Sequence, residues 1–296
     1  MTTRSRAELA LLSTTFIWGS TFVVAKSAMN DVSPALFIAL RFGIGALLFA
    51  LFLFRSVGSI PRSTVRRGVV LGLMLGTGIV IQNIGIYRTT ASKAAFITGL
   101  MVIFTPLAQL VMERRAPKIG NIIGVIIVTF GLYLLTSPDG SGISTGDIIV
   151  LISAFIFGVY IVVLDIFAKT ENVLHLSFIQ VTMTTLTAAL VVPFESPYIT
   201  FTPQIIASLL YMGICATVFT TYMQTRFQKE TTPTRAVIIF TIEPVIAAVL
   251  SYFFLGEVLG SVAIAGAVLI VGGILVSEFS DTLLHLAGFA SQESGE

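Results

Sequence analysis

Residues 234–257 read TRAVIIFTIEPVIAAVLSYFFLGE, an apolar run that has a glutamate, Glu243, and a proline, Pro244, near its middle. About 20 apolar residues are enough to cross a bilayer as an α-helix. Glu243 follows Arg235 by eight residues, which places it about 12 Å inside the span at the helical rise per residue. A proline within a helix has no N–H, so the carbonyl of Phe240 loses its helical partner. The stretch therefore predicts an interrupted membrane helix with a carboxylate deep inside it.

The composition of the whole chain is that of an integral membrane protein. Its 296 residues are 55% hydrophobic and 11% charged, with a mean hydropathy of +0.98, whereas soluble domains are about 25% charged. The length allows about ten crossings and no sizeable soluble domain, which argues against soluble catalysis and nucleic-acid binding. One cysteine and two histidines provide no metal cluster. No P-loop is present, so we expect no metal, no cofactor and no direct ATP hydrolysis.

Apolar runs bounded by charge, proline, glycine or asparagine predict an all-α fold of ten transmembrane helices. The first run has no convincing signal-peptidase site before Lys26, so we interpret it as an uncleaved span. The predicted spans cover residues 7–29, 34–54, 67–87, 91–112, 118–137, 146–166, 172–192, 203–225, 234–254 and 259–279.

Lysine and arginine are distributed unequally between the two sets of loops. If the amino terminus is cytoplasmic, only Lys26, Arg88 and Lys93 fall on the outer side, and the outer connections 137–147, 193–203 and 255–261 contain no basic residue. Cytoplasmic loops carry the excess of Lys and Arg. We therefore expect both termini in the cytoplasm, a multi-pass location in the cell membrane, and a cytoplasmic tail at residues 281–296.

The two halves of the chain resemble each other, which predicts one five-helix repeat over residues 1–140 and a second over 141–280. Phe16, Trp18 and Gly19 align with Phe155, Phe157 and Gly158 at one offset. Gly124 and Gly131 match Gly266 and Gly273 with the same spacing. An odd number of helices per repeat inverts the second copy in the bilayer, an architecture common among secondary transporters.

Several short motifs, in order, resemble the drug/metabolite transporter superfamily, in particular its EamA-like ten-helix exporters. They are Phe16 to Phe22 (FIWGSTF), Arg41-Phe42, Glu243-Pro244, Leu255-Gly256-Glu257, and Gly266 with Gly272-Gly273. The resemblance covers nearly the whole chain and implies export through a cavity lined by helices one, three, four, six, eight and nine. The first repeat departs from the pattern, because Pro106 precedes Glu113 by seven residues whereas Pro244 precedes Glu257 by thirteen.

Two charged side chains are predicted to lie deep in the membrane, Arg41 and Glu243. A buried charge costs about 2.5–3.5 kcal/mol on insertion scales, so each is a functional candidate. Arg41 is a buried charge whose structural interpretation, a tie to carbonyls or to an acid, we favour. Glu243 is interpreted either as a structural group or as a carboxylate that faces the cavity and pairs with a substrate ammonium or carries a coupling proton.

Prolines and polar or aromatic residues complete the predicted site. Pro106 and Pro244 are expected to kink helices four and nine, which would then act as gates or cavity walls, with improved packing as the alternative. Hydroxyls and amides in membrane helices also join helices to each other, so each threonine is either a ligand or such a tie. The predicted substrate-binding or coupling residues are Trp18, Thr21, Gln82, Asn83, Tyr160, Thr217, Thr221, Gln224 and Glu243.

The sequence as a whole predicts a secondary transporter that exports small amphipathic metabolites such as amino acids by alternating access. The expected partners are a small-molecule substrate, the lipid bilayer and a proton, and the expected state is a monomer. A passive facilitator or channel is the first alternative. An intramembrane lipid-modifying enzyme is the second; it would need a nucleophile with a base, a carboxylate pair or metal ligands, and the sequence offers none.

Overall fold

The computed structural model describes residues 3–55, 57–114, 119–136 and 143–286, called the described residues below. Their named elements are all helical, which confirms the predicted all-α class. A π-helical stretch, Ile214–Phe219, links α9 to α10. The α-helices are α1 (Thr3–Ala28), α2 (Pro34–Leu53), α3 (Arg62–Arg88), α4 (Ala91–Gly99), α5 (Met101–Glu113), α6 (Ile119–Thr136), α7 (Thr145–Ala168), α8 (Val173–Val191), α9 (Pro203–Gly213), α10 (Thr220–Phe227), α11 (Pro233–Phe240), α12 (Glu243–Leu255) and α13 (Ser261–Leu286).

Eight helical segments among the described residues are long and apolar enough to cross a bilayer, so the protein is a multi-pass membrane protein. The fifth and tenth predicted spans coincide with shorter apolar stretches, Ile126–Leu135 and Ser261–Gly273, and the count of ten stays a prediction. The eight segments are Ser5–Ala28, Pro34–Leu53, Arg62–Arg88, Ala91–Met112, Thr145–Ala168, Val173–Phe194, Pro203–Glu230 and Pro233–Leu255.

Several helices extend beyond the predicted spans. The third begins at Arg62 rather than at residue 67, because its first turns accommodate arginines at the membrane edge, where Arg67 pairs with Glu171 at 2.6 Å. The last helix continues to Leu286, into the predicted tail. Residues 287–296 of that tail, and the ends of the predicted fifth span at residues 118 and 137, lie outside the described residues.

Two of the predicted spans are broken near their middles. The fourth breaks at Leu100, between α4 and α5, and Pro106 lies inside α5 rather than at the break. The ninth breaks at Thr241 and Ile242, between α11 and α12. Pro244 occupies the first turn of α12, where a helix needs no N–H donor. Residues that flank both breaks line the cavity described below.

The helix α3 packs closely against two neighbours through its glycines. A Cβ on Gly72 would lie 2.4 Å from Cβ of Met183 and 2.7 Å from the carbonyl oxygen of Gln180, both on α8. On its other side, a Cβ on Gly78 would lie 2.6 Å from the ring of Phe157 on α7. Small residues let membrane helices approach to backbone contact, so these glycines place α3 between α7 and α8.

The helices α6 and α13 form another close pair, again through glycine. A Cβ on Gly131 would lie 2.8 Å from the carbonyl oxygen of Gly266, and a Cβ on Gly266 would lie 2.6 Å from the carbonyl oxygen of Gly131. Gly273 makes a similar approach to the carbonyl oxygen of Gly124, at 3.0 Å. The four glycines that match between the two halves of the sequence therefore meet each other at one helix contact.

The α6–α13 contact predicts that alanine substitutions at two glycines of α13 change the stability of the protein in opposite directions. Gly266→Ala is expected to destabilise the protein by roughly 1–3 kcal/mol, because the new methyl meets backbone atoms that cannot rotate away. Gly272→Ala meets nothing within 4 Å and should stabilise α13 by up to about 1 kcal/mol through helix propensity. Thermal unfolding in detergent compares the two. Equal transition temperatures for both variants would contradict the close approach.

Candidate functional site

A central cavity lies where α1, α2, α3, α7, α10 and the two broken helices meet. Its volume is about 90 Å³. That volume suits a small solute rather than a lipid or a peptide. Eight residues predicted from the sequence line the cavity: Trp18, Thr21, Arg41, Gln82, Tyr160, Thr221, Gln224 and Glu243.

Residues on both sides of the two helix breaks form part of the cavity wall. Thr98 and Met101 flank the break at Leu100, and Phe240 and Glu243 flank the break at Thr241 and Ile242; all four line the cavity. Glu243 is the first residue of α12, so its carboxylate lies at the positive end of a helix dipole. The helix dipole offsets part of the cost of burying an anion there.

The Glu243 carboxylate is buried, yet it makes no hydrogen bond and no ion pair with any of the described residues. Glu243 is 7% exposed and lines the cavity. A buried carboxylate without a partner is costly, and intramembrane ionisable groups of this kind mark substrate or ion pathways. The carboxylate oxygens of Glu243 are therefore available to accept hydrogen bonds from a ligand.

The second buried charge, Arg41, is held by the π-helical stretch of the eighth predicted span. Its Nη2 donates to the carbonyl oxygen of Ala216 at 2.8 Å, and its Nε donates to Oγ1 of Thr217 at 3.0 Å. The guanidinium also lies 5.0 Å from the ring centroid of Phe42. A π-helical turn disturbs the regular hydrogen-bond ladder, and the arginine supplies donors to the groups so exposed. Its charge is not neutralised by a carboxylate among the described residues.

Aromatic side chains form much of the remaining wall. Gly19 brings α1 so close to the second break that a Cβ on it would lie 3.1 Å from the carbonyl oxygen of Glu243. The neighbouring Trp18 consequently packs edge to face on Phe240, with ring centroids 5.1 Å apart. Phe42, Phe157 and Tyr160 also line the cavity. Such rings contact apolar or cationic parts of a ligand.

Hydrogen bonds hold the polar wall residues in place. Gln82 Nε2 donates to Oγ1 of Thr98 at 3.0 Å, which joins α3 to α4. The Tyr160 hydroxyl donates to Oε1 of Gln180 at 2.9 Å. Gln224 Nε2 donates to Oε1 of Gln228 at 3.1 Å. These bonds fix the rotamers of the side chains that line the cavity, so the site is largely preformed.

Four of the predicted site residues do not line the cavity. Asn83 donates to the carbonyl oxygen of Ile79 in its own helix and leaves its Oδ1 without a partner. Thr217 is used by Arg41 and by the carbonyl oxygen of Met212. Pro106 and Pro244 lie within α5 and α12, behind the wall.

Nine lining residues were not predicted from the sequence, and most of them are apolar. Their side chains carry no chemistry that distinguishes a cavity wall from the core, so no sequence signal identifies them. Thr98 is the exception, since a polar residue inside an apolar predicted span was a recognisable candidate. The nine are Phe42, Leu75, Ile79, Thr98, Met101, Phe157, Ile161, Ala216 and Phe240.

The described residues contain no group of three or more His, Cys, Asp or Glu that could hold a metal ion. Glu243 and Arg41 are the charged side chains of the cavity wall. The arrangement can therefore bind and release a small polar or amphipathic solute, with one carboxyl group and one guanidinium on the wall.

Comparison with known proteins gives a family match over almost the whole chain. The model of the EamA-like transporter family matches residues 5–137 and again residues 144–279. An uncharacterized transporter of Archaeoglobus fulgidus is 29% identical over 273 residues, which are 92% of this chain and 86% of that protein. The uncharacterized transporter YoaV of Bacillus subtilis is 26% identical and covers 93% and 97% of the two chains.

Two further similarities concern substrate and fold. The S-adenosylmethionine/S-adenosylhomocysteine transporter of Chlamydia muridarum is 34% identical over 128 residues, which are 40% of this chain and 39% of that protein. A solved crystal structure with 20% sequence identity superposes with a TM-score of 0.72 and covers 95% of this chain and 99% of its own. The latter similarity shows a shared fold.

Proposed function

The chain belongs to the EamA-like transporter family and is a multi-pass membrane transporter; on this basis we propose that it is a secondary transporter which exports small amphipathic metabolites, amino acids among them, by alternating access. The substrate enters the central cavity from one side of the cell membrane and leaves on the other. Transport uses an ion or substrate gradient, with the proton as the ion that Glu243 would carry.

The observation that carries this proposal is the pair of opposite, unneutralised charges in one buried cavity. Glu243 has no partner among the described residues, and Arg41 has only neutral ones. Isolated buried charges are unfavourable unless they are paired. A zwitterion supplies both partners at once, with its ammonium on Glu243 and its carboxylate towards Arg41. An amino acid has both groups on one small molecule.

The cavity suits other substrate classes less well. A phosphate site uses several Arg or Lys donors, and among the described residues Arg41 is the one cation on this wall. The Trp18 and Phe240 rings offer an apolar face for a side chain. One relative is named a transporter of S-adenosylmethionine, a molecule built on an amino acid, which agrees with recognition of an amino-acid group.

We further propose two inverted five-helix repeats, 1–140 and 141–280, with both termini in the cytoplasm and a monomer as the working unit. The family model matches the chain twice. Repeat-matched positions also occupy related places. Gly19 packs on Glu243 and Ile246, and its counterpart Gly158 packs on Phe104 and Thr105 of the other broken helix. The halves α4 with α5 and α11 with α12 then form the gates of alternating access.

The proposal is tested by uptake of radiolabelled amino acids into proteoliposomes that contain the purified protein, with and without an imposed pH gradient. We expect saturable, protein-dependent uptake and accumulation when the gradient is imposed. Equilibration without accumulation would support the alternative of a passive facilitator. No uptake of any amino acid by folded protein would overturn the proposed substrate class. Hydrolysed or modified lipid would support an intramembrane enzyme.

A further inference from the structure

A glutamate at one end of the bundle caps the start of α4 by hydrogen bonds. The Glu257 side chain, in the loop after α12, accepts hydrogen bonds from three donors of that start. Its Oε1 accepts from the backbone N of Ala91 at 2.8 Å, and its Oε2 accepts from the backbone N of Ser92 at 2.9 Å and from Oγ of Ser92 at 2.7 Å. Backbone N–H groups at a helix start lack helical partners, and the helix dipole favours an anion there.

A lysine ties two further helices to the same end. Lys26, near the end of α1, donates to the carbonyl oxygens of Ile86, Tyr87 and Thr89 at the end of α3, at 2.9, 3.2 and 2.6 Å. Its ammonium is also attracted to the Glu257 carboxylate. We call Lys26, Glu257, Ala91 and Ser92 the Glu257 clasp. Charged hydrogen bonds, which are the stronger kind, join α1 to the end of α3 and the loop after α12 to the start of α4.

The helix α4 that the clasp holds leads directly to the cavity. It ends at Gly99, where a Cβ would lie 3.1 Å from the ring of Pro244, so it packs on the start of α12. Thr98 and Met101, on either side of the break after Gly99, line the cavity. A short helix with a break at one end can pivot there, and its other end is the one that Glu257 holds.

The opposite end of the bundle also has a charged contact, because Arg67 of α3 pairs with Glu171 at 2.6 Å. There α5 and α11 meet through bonds that include Oγ1 of Thr234 donating to Oε1 of Gln109 at 2.8 Å. The ion pair of Arg235 with Glu8 spans 3.7 Å, and its side chains are 41% and 38% exposed. Exposed pairs of that kind contribute little. Among the described residues, the contact that holds a broken helix by hydrogen bonds to a carboxylate is therefore at the Glu257 end.

We propose that the Glu257 clasp keeps the cavity closed at its end of the molecule in the substrate-free protein, and that its release from α4 opens the cavity there. The inference rests on the proposed function, since closure and release of one end are one half of alternating access. On the predicted orientation this is the outer end. An exporter whose outer end is clasped when empty loads its substrate from the cytoplasm.

A cysteine-accessibility experiment tests the clasp without any substrate. The single cysteine is removed by Cys215→Ser, and Met101→Cys then reports access to the cavity. Sealed proteoliposomes are labelled with a membrane-impermeant maleimide. Val258→Cys, at a residue 77% exposed, shows in parallel samples which side carries Glu257. In this background, Glu257→Gln should raise the labelling rate of Met101→Cys from that side about tenfold, because charged hydrogen bonds to the helix start are lost.

Glu195 provides a matched control. Its carboxylate accepts from Ser33 Oγ at 2.6 Å and from the backbone N of Ala35 and Leu36 at 2.8 and 2.9 Å, at the start of the unbroken helix α2. Glu195→Gln removes the same kind of cap and should leave the labelling rate within about twofold of the parent. Equal increases in both variants would indicate general loosening and would overturn the proposal, as would an unchanged rate in folded Glu257→Gln.

A second variant covers the case in which Glu257→Gln does not fold. Ser92→Ala removes one of the three donors and keeps the carboxylate in place, so a smaller increase in labelling is expected from the same side; no increase would overturn the clasp. Labelling that rises in protein without any uptake would refute the proposed function and retain the clasp. Uptake by the parent protein, together with a labelling rate that does not rise in the variants, would support the proposed function and refute the clasp.

Discussion

Replacing Glu243 by glutamine is expected to lower amino-acid uptake about a hundredfold, close to the 3 kcal/mol that removal of one member of a desolvated charge pair typically costs. Glutamine preserves the shape of the side chain and removes only the charge. Because the carboxylate has no protein partner among the described residues, the free protein loses no hydrogen bond. Its stability should therefore stay equal or rise slightly, since an unpaired buried charge disappears.

The opposite signs of these two effects separate function from folding. Uptake in proteoliposomes measures the first effect, and thermal unfolding of the same preparation measures the second. Glu230→Gln is the control, because Glu230 is a partly exposed carboxylate paired with Arg226 at 2.7 Å outside the cavity; its uptake should match the parent. Undiminished uptake by folded Glu243→Gln would remove Glu243 from the mechanism.

Arg41→Lys is expected to destabilise the protein by about 1.5–3 kcal/mol, the cost of losing a hydrogen bond that involves a charged group. Lysine keeps the positive charge but cannot place two donors on the carbonyl oxygen of Ala216 and Oγ1 of Thr217 in the fixed geometry of a guanidinium. The π-helical stretch would lose the donors that hold it against α2. We expect a lower unfolding temperature and reduced uptake together.

Arg226→Lys is the matched control for that change. Arg226 also lies over the ring of the residue that follows it, at 5.2 Å from the Phe227 centroid, and its side chain is 39% exposed. Exposed pairs contribute at most about 1 kcal/mol, so this variant should unfold near the parent temperature. If Arg41→Lys and Arg226→Lys unfold at the same temperature, Arg41 does not support the π-helical stretch.

Much of the fold follows from patterns that the membrane imposes on any sequence. A bilayer requires long apolar helices, so the spans around Pro34–Leu53 and Thr145–Ala168 could be located to within a few residues. Charge at helix ends was less informative. Arg67 was interpreted as a boundary, yet α3 begins at Arg62, because arginine at the membrane edge extends to water or to an acid such as Glu171.

The breaks in the helices were only partly predictable. Pro244 correctly indicated the neighbourhood of the break before α12, since proline is suited to the first turn of a helix. Pro106 pointed six residues past the actual break at Leu100. That break has no proline of its own and depends on the packing of α4 against α12. Tertiary contacts of that kind leave no local mark in the sequence.

Polar cavity residues were predictable, and their roles depended on contacts that sequence spacing does not define. Helical periodicity placed Thr217 beside Thr221 and Gln224, but only Thr221 and Gln224 line the cavity. The π-helical stretch Ile214–Phe219 changes the periodicity just there and turns Thr217 towards Arg41. The sequence alone could not show which of the adjacent residues Gln82 and Asn83 faces the cavity. In the structure, Gln82 lines it and Asn83 does not.

The most direct test of the account is competition against uptake of one radiolabelled amino acid by three compounds that share its side chain. One is the unlabelled amino acid, one is the amine that lacks the carboxylate, and one is the acid that lacks the ammonium. If Glu243 and Arg41 each pair with one end of a zwitterion, each single-charge compound should compete at least about thirtyfold more weakly than the amino acid. Competition by the amine or the acid as strong as that of the amino acid would contradict the account.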